Sequence, residues 1–118
     1  MPRLAKHFDC PTEFTLALLG GKWQTVILCY LRLGPLRYGE LRALLPKVSD
    51  KVLTERLKHL ESLGLIVRNS APGARSTGYR LAARGEALRS VLTSIYQWGV
   101  RNAAEFGVEC DVPRLPRH

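Results

Sequence analysis

The sequence predicts a mainly α-helical domain with one small β-hairpin, an α+β arrangement within 118 residues. Three observations predict it. Apolar residues recur at three- and four-residue spacing in five separate stretches, the period of helices buried along one side. Glycine and proline punctuate those stretches at Gly20-Gly21, Gly34-Pro35, Pro46 and Gly64. Between the fourth and fifth stretches, two short β-rich runs flank a loop of turn formers. A chain of this length makes one domain, read here as residues 1–106, with the proline-containing basic end 107–118 as a mobile tail.

The first helix opens at Asp9-Cys10-Pro11. An acidic residue favours the positive end of a helix, and proline in the first turn gives up only an N–H that has no partner there. Phe14, Leu16, Leu18 and Leu19 supply apolar surface before Gly20-Gly21 stops the helix. The second helix, about Lys22 to Arg32, carries Trp23, Val26, Ile27, Tyr30 and Leu31 on its stripe. Gly20-Gly21-Lys22 is not a phosphate loop, because the positions that need Gly and Ser or Thr hold Leu16 and Trp23. A third, short helix runs from about Tyr38 to Leu45, with Leu41, Leu44 and Leu45 inward.

The fourth helix, Val48 to Leu63, organises the rest. Leu53, Leu57, Leu60 and Leu63 share a buried stripe, while Lys51, Glu55, Lys58 and Ser62 face away, flanked by Thr54 and His59. Ser49 is placed to cap the first turn, and Gly64 to close the last. Taken alone, this is also the pattern of an ordinary amphipathic surface helix. Its setting argues for more. Only three or four residues separate it from the third helix, the spacing of a helix-turn-helix. Leu65 to Arg68 and Tyr79 to Leu81 then form two strands around the basic loop Asn69 to Gly78, which makes the hairpin a wing. The last helix is expected over Ala83 to Phe106. Leu88, Leu92, Ile95 and Gly99 trace one apolar stripe, and Ala87, Val91, Trp98 and Ala103 a second. A helix apolar on more than one face needs more than one partner, so one stripe is assigned to the domain and the other to a second subunit.

Charge points to the partner. Lys and Arg outnumber Asp and Glu by 18 to 10, a net +8. Ten basic and four acidic residues fall between Arg32 and Arg80, so +6 of that charge surrounds the fourth helix. A polyanion, nucleic acid before membrane, suits this distribution. The N-terminus lacks the apolar core of a signal peptide, and the longest apolar run, Val26 to Leu31, is too short for a bilayer. A cytoplasmic protein with no membrane partner is expected. Cysteines at 10, 29 and 110 are odd in number and make no disulfide framework.

Together these residues resemble the HxlR-type family of bacterial winged helix-turn-helix transcriptional regulators. The resemblance rests on Cys10-Pro11, Gly20-Gly21-Lys22-Trp23, Gly34-Pro35 and Tyr38-Gly39-Glu40-Leu41. It continues through Ser49, Lys51-Val52-Leu53-Thr54, Leu57, Leu60, Gly64-Leu65 and Tyr79-Arg80-Leu81, covering roughly positions 8 to 100. It implies a homodimer that binds a two-fold-related operator and regulates nearby genes, often as a repressor. Two positions depart from the family pattern. Ala82 stands where Thr usually precedes the last helix and cannot cap, and Gly78 replaces the acidic residue often found before the strand tyrosine.

For DNA contact the candidates are Ser49, Lys51, Thr54, Glu55 and Lys58 on the fourth helix, Arg37 and Tyr38 at the start of the third, and Arg75 at the wing. Lys donates to guanine, Thr meets a thymine methyl and Glu accepts from cytosine. Glu55 has a rival role pairing with Lys51 or Lys58. Arg56, beside the leucine stripe, is expected to bond within the protein. Leu88, Val91, Leu92, Ile95 and Trp98 are the candidate dimer interface. Cys10 is the candidate redox sensor, because unsatisfied N–H groups at a helix start favour the thiolate and Lys6 and His7 stand near. The competing reading is a small buried hydrophobe. Some members of the family sense oxidants or electrophiles at this cysteine. Cys29 is read as packing, and the two tryptophans as core or dimer-seam anchors. His7 and Cys10 are too few ligands for zinc. No metal, cofactor or catalytic function is expected. A small-molecule-responsive regulator with its ligand at the dimer seam, and a winged-helix module for protein–protein assembly, are the alternatives.

Overall fold

Gly20 sets the first turn of the chain. Its φ of +70° lies in the left-handed region, and its N–H closes α1 (Pro11–Leu19) on the carbonyl of Leu16. The helix α2 (Gly21–Leu31) starts at once and leaves at 82° to α1. A Cβ on Gly20 would meet the Gln24 side chain at 2.8 Å from Cδ. Buried Gln24 fills that space and donates Nε2 to the carbonyl of Leu18 at 3.1 Å.

The computed structural model describes residues 4–69 and 77–116. After α2 come strand β1 (Leu36–Arg37), α3 (Tyr38–Leu44) and α4 (Asp50–Ser62). Strands β2 (Ile66–Asn69) and β3 (Gly78–Leu81) follow, then α5 (Ala83–Glu86), α6 (Arg89–Asn102) and a 3-10 turn, Ala103–Phe106. The sheet is antiparallel in the order β1-β3-β2, with Leu36 opposite Tyr79 and Ile66 opposite Leu81. β1 was not foreseen, because two residues carry no period to read. It makes the wing three-stranded and ties the third helix to it, since Tyr38 N–H donates to the carbonyl of Thr77 at 3.0 Å.

Leucines dominate the core. Ile27, Leu28 and Leu31 of α2 meet Leu41, Leu53, Leu57, Leu60, Leu65 and Leu92, all within 1% of full burial. α2 packs against both α4 and α6 and so joins the two functional halves. Buried Arg32 at its end reinforces the joint. Its guanidinium donates to Thr93 Oγ1 at 3.2 Å and to the carbonyl of Cys29, and lies 4.8 Å from the Tyr96 ring centroid.

Two expectations are corrected. The last helix is not continuous from Ala83 to Phe106. Gly85 packs against the backbone of Leu65, and Leu88 N–H turns back to the carbonyl of Gly85 at 2.9 Å. The Arg89 guanidinium takes the Glu86 carboxylate through two 2.8 Å bonds across this break. The apolar stripes also divide differently. Leu92 is fully buried and Leu88 packs beside it, so both serve the chain's own core, while Val91, Ile95 and Trp98 stay exposed at 37%, 45% and 60%. Ala82, as its identity requires, makes no side-chain cap on α5, whose start is held instead by Arg84 donating to the carbonyl of Leu63 at 2.9 Å. In the C-terminal segment Pro113, Leu115 and Pro116 are half-buried and line clefts shared with residues of α2.

Candidate nucleic-acid interface

α4 is built as its sequence requires. Ser49 is extended, and its hydroxyl oxygen accepts from Val52 N–H at 3.1 Å, satisfying a donor that the first turn leaves open. At the other end Gly64, with φ of +74°, lets Leu65 N–H reach the carbonyl of Leu60 at 3.1 Å. Leu53, Leu57 and Leu60 bind the back of the helix to the core. The front is solvated: Ser49, Lys51, Thr54, Glu55 and Lys58 are all exposed. Glu55 pairs with neither Lys51 nor Lys58 among the described residues, so the local-pair reading of Glu55 finds no support. Arg56 is partly buried and engaged within the protein. Beside this face His59 is held below the ordinary histidine range, chiefly by burial, with Arg56 adding to the effect.

The turn into α4 is clamped by a cluster that sequence reasoning missed. Asp50 Oδ1 accepts from the Tyr38 hydroxyl at 2.8 Å and from Arg42 Nε at 2.9 Å. The same guanidinium donates Nη1 to the carbonyl of Leu45 at 2.7 Å. One arginine therefore holds the end of α3 and the start of α4 together. The Tyr38 hydroxyl thus donates within the protein, to Asp50. Arg37 stays exposed, and its N–H is capped by Glu40 Oε1 at 2.9 Å. Tyr38 and Asp50 stand twelve residues apart, so the cluster shows only once the two helices are folded against each other. On the wing, Arg68 and Arg80 are exposed, whereas Arg75 lies outside the described residues.

Cys10 is the N-cap of α1 and is partly exposed. Its carbonyl accepts from Glu13 N–H at 3.0 Å, which fixes the thiol beside the first turn. The Thr12 hydroxyl, then the Thr12 N–H, holds the thiol below its ordinary range against a smaller opposing effect of burial. Lys6 and His7 are not among the groups that do this; His7 Nδ1 lies 4.0 Å from Asp9 instead. Cys29 behaves oppositely: burial raises its thiol, which faces the carbonyl of Leu92 at 3.9 Å. Cys110 is exposed in the tail.

Comparison with known proteins agrees with this layout. A sequence model described as HxlR-like helix-turn-helix matches residues 18–106. The HTH-type transcriptional regulator YtcD of Bacillus subtilis (strain 168) is 37% identical over 100 residues, covering 82% of this chain and 78% of that protein. Among solved structures, the redox regulator HypR in its reduced form superposes with a TM-score of 0.74 at 30% identity, over 79% of this chain and 93% of that one. The reduced form of the transcriptional regulator YodB from B. subtilis gives 0.66 at 33% identity, over 80% and 94%.

Proposed function

The chain belongs to the HxlR-like helix-turn-helix family of transcriptional regulators, and from that premise we propose that it represses genes as a homodimer on a two-fold-related operator, in the cytoplasm. The observation that carries the reading is the front of α4, where Lys51, Thr54, Glu55 and Lys58 are exposed and without a side-chain partner among the described residues. A capped helix with a leucine back and such a front fits one major groove. Lys51, Thr54 and Glu55 read base edges from its N-terminal half, and Lys58 and Ser49 meet the flanking backbone. Arg37 and the wing residue Arg75 add backbone contacts, while Tyr38 serves the interface through its bond to Asp50. The Arg42–Asp50–Tyr38 cluster sets the angle at which α4 enters.

Val91, Ile95 and Trp98 form the second apolar face of α6, and the ring of Trp98 lies 6.2 Å from that of Phe106. This surface joins the two subunits and sets the recognition helices about 34 Å apart. Oxidants or electrophiles act through Cys10, whose Thr12-stabilised thiolate is the nucleophilic form. HypR has been solved in oxidised and reduced forms, and YodB treated with diamide and bound to quinone, which supports the same class of signal here.

The deciding experiment is an anisotropy titration against duplex from the gene's own upstream region and against a scrambled duplex, at two salt concentrations. Tighter binding to the first, weakening with salt, is expected. Equal binding to both, or binding indifferent to salt, contradicts sequence-specific recognition. For Cys10, the Cys10→Ser protein is expected to stay on DNA under an oxidant that releases the parent. If it is released equally, Cys10 is not the sensor.

A further inference from the structure

A cleft of about 580 Å³ opens between α2 and the turn that joins α3 to α4, and residues of the C-terminal segment close its third side. Its walls are largely apolar, formed by Trp23, Val26 and Tyr30 of α2 with Leu44, Leu45 and Pro46. Lys22, Lys47 and Arg114 also line it, against a single carboxylate, Asp111. The side chains of Lys47, Arg114 and Asp111 make no ion pair or hydrogen bond among the described residues. Lys22 sets its Nζ 4.4 Å from the Trp23 ring centroid, at the aromatic wall. The volume lies within the usual range for small-ligand sites, about 300–1,000 Å³.

We propose that this cleft binds a small aromatic carboxylate, with its ring between Trp23 and Tyr30 and its charge met by Lys22, Lys47 and Arg114. Aromatic walls favour a planar ring over an aliphatic chain. Three cations against one carboxylate favour an anion, and the apolar floor disfavours one that is polar all round, such as a sugar phosphate. Trp23, read from sequence as a core or dimer-seam anchor, is partly buried and lines this cleft. The site is distinct from the α6 face to which the subunit contact is assigned. It also lies where a ligand has leverage. Ala43 to Lys47 lead into the Ser49 cap, so a molecule that bridges α2 and this turn fixes the pitch of α4. That consequence rests on the DNA-binding reading given above; the binding site itself does not.

Isothermal titration calorimetry of the full chain, with 2-naphthoate and indole-3-acetate as probes, tests the site without DNA. Their neutral amides serve as controls. Saturable binding of one carboxylate per chain is expected, about tenfold tighter than the matching amide. A Lys47→Gln/Arg114→Gln protein with the parent's thermal midpoint is expected to lose the same factor. No saturable heat at millimolar probe, or equal affinity for acid and amide, overturns the proposal. So does unchanged carboxylate affinity in the double variant, which would leave Lys47 and Arg114 as solvated or DNA-facing charges. Anisotropy on the operator, with and without saturating probe, then reads the coupling. A shift in operator affinity is expected, and an unchanged affinity overturns the coupling. Because calorimetry precedes any DNA, failure of the operator reading and failure of the ligand site give different results.

Discussion

Gly85→Ala tests how the C-terminal half is attached to the DNA-binding half. A Cβ at this position would lie 2.1 Å from the carbonyl oxygen of Leu65 and 3.1 Å from its carbon. Ordinary contact starts at 3.4 Å, so the backbones must separate by more than an ångström, and neither partner is a flexible side-chain tip. That separation breaks the 2.9 Å bond from Ala82 N–H to the same carbonyl, a loss of about 1 kcal/mol. Overpacking against backbone adds about 3 kcal/mol, the upper end of the usual range. Alanine's better helix propensity returns at most about 1 kcal/mol. The net is a destabilisation of about 3 kcal/mol, or a thermal midpoint lower by about 10–15 °C for a domain of this size. Circular dichroism at a fixed protein concentration reads it, the concentration being held because association shifts the midpoint. Gly39→Ala, with nothing within 4 Å of the new Cβ, is the control and is expected to stay near the parent. A Gly85→Ala midpoint within about 2 °C of the parent, less than 1 kcal/mol on this scale, would refute the close approach.

Ser49 separates capping from DNA contact. Ser49→Ala is expected to cost about 1 kcal/mol of stability, while Ser49→Asp keeps the cap yet weakens DNA binding more than Ala does, by facing a carboxylate to phosphate. An Asp variant that binds as tightly as the parent removes Ser49 from the interface. Lys58→Ala should weaken own and scrambled duplex alike and lower the salt slope by about 1; an unchanged slope means that Lys58 touches no phosphate. Thr12→Val removes the largest cause of the lowered Cys10 thiol. The pH at which Cys10 is half-alkylated, followed by peptide mass spectrometry, is then expected to rise toward the ordinary thiol range. The sign follows from the reacting form: a lowered pKa leaves more thiolate near neutrality, and losing its support moves the midpoint up. A midpoint unmoved by the change would show that Thr12 does not act on Cys10.

α4 was legible in the sequence because its signals are local and agree. The cap at Ser49, the spacing of Leu53, Leu57 and Leu60, and Gly64 all sit within a few residues of the bonds they make. The wing strands β2 and β3 were legible for the same reason. What stayed hidden depends on distant partners. β1 exists because Leu36 finds Tyr79, and the break after α5 exists because Gly85 finds Leu65. Periodicity showed two apolar faces on α6 but could not say which looks inward. That is decided by α2, whose Cys29 lies against Leu92 and whose Arg32 reaches Thr93 and Tyr96, leaving Ile95 outside. On the front of α4 the exposure of the candidate residues was legible, and the Arg42–Asp50 contact at its start was not.

Those contacts differ in kind from the ones that hold α2. α2 touches α4 through leucines and α6 through leucines plus a buried guanidinium. The bond from that guanidinium to Thr93 Oγ1 is a hydrogen bond to a charged group, worth about 1.5–3 kcal/mol, and it ties α2 to α6. The turn from α3 to α4 is held by exposed groups instead: the Asp50 side chain is 75% exposed and that of Arg42 is 32% exposed. Contacts of that kind are worth about 1 kcal/mol or less. The weaker of the two joints is therefore the turn into α4, beside Lys47 and the cleft. α4 itself stays anchored by Leu53, Leu57 and Leu60 in the core, so losing the Asp50 clamp loosens the turn rather than releasing the helix.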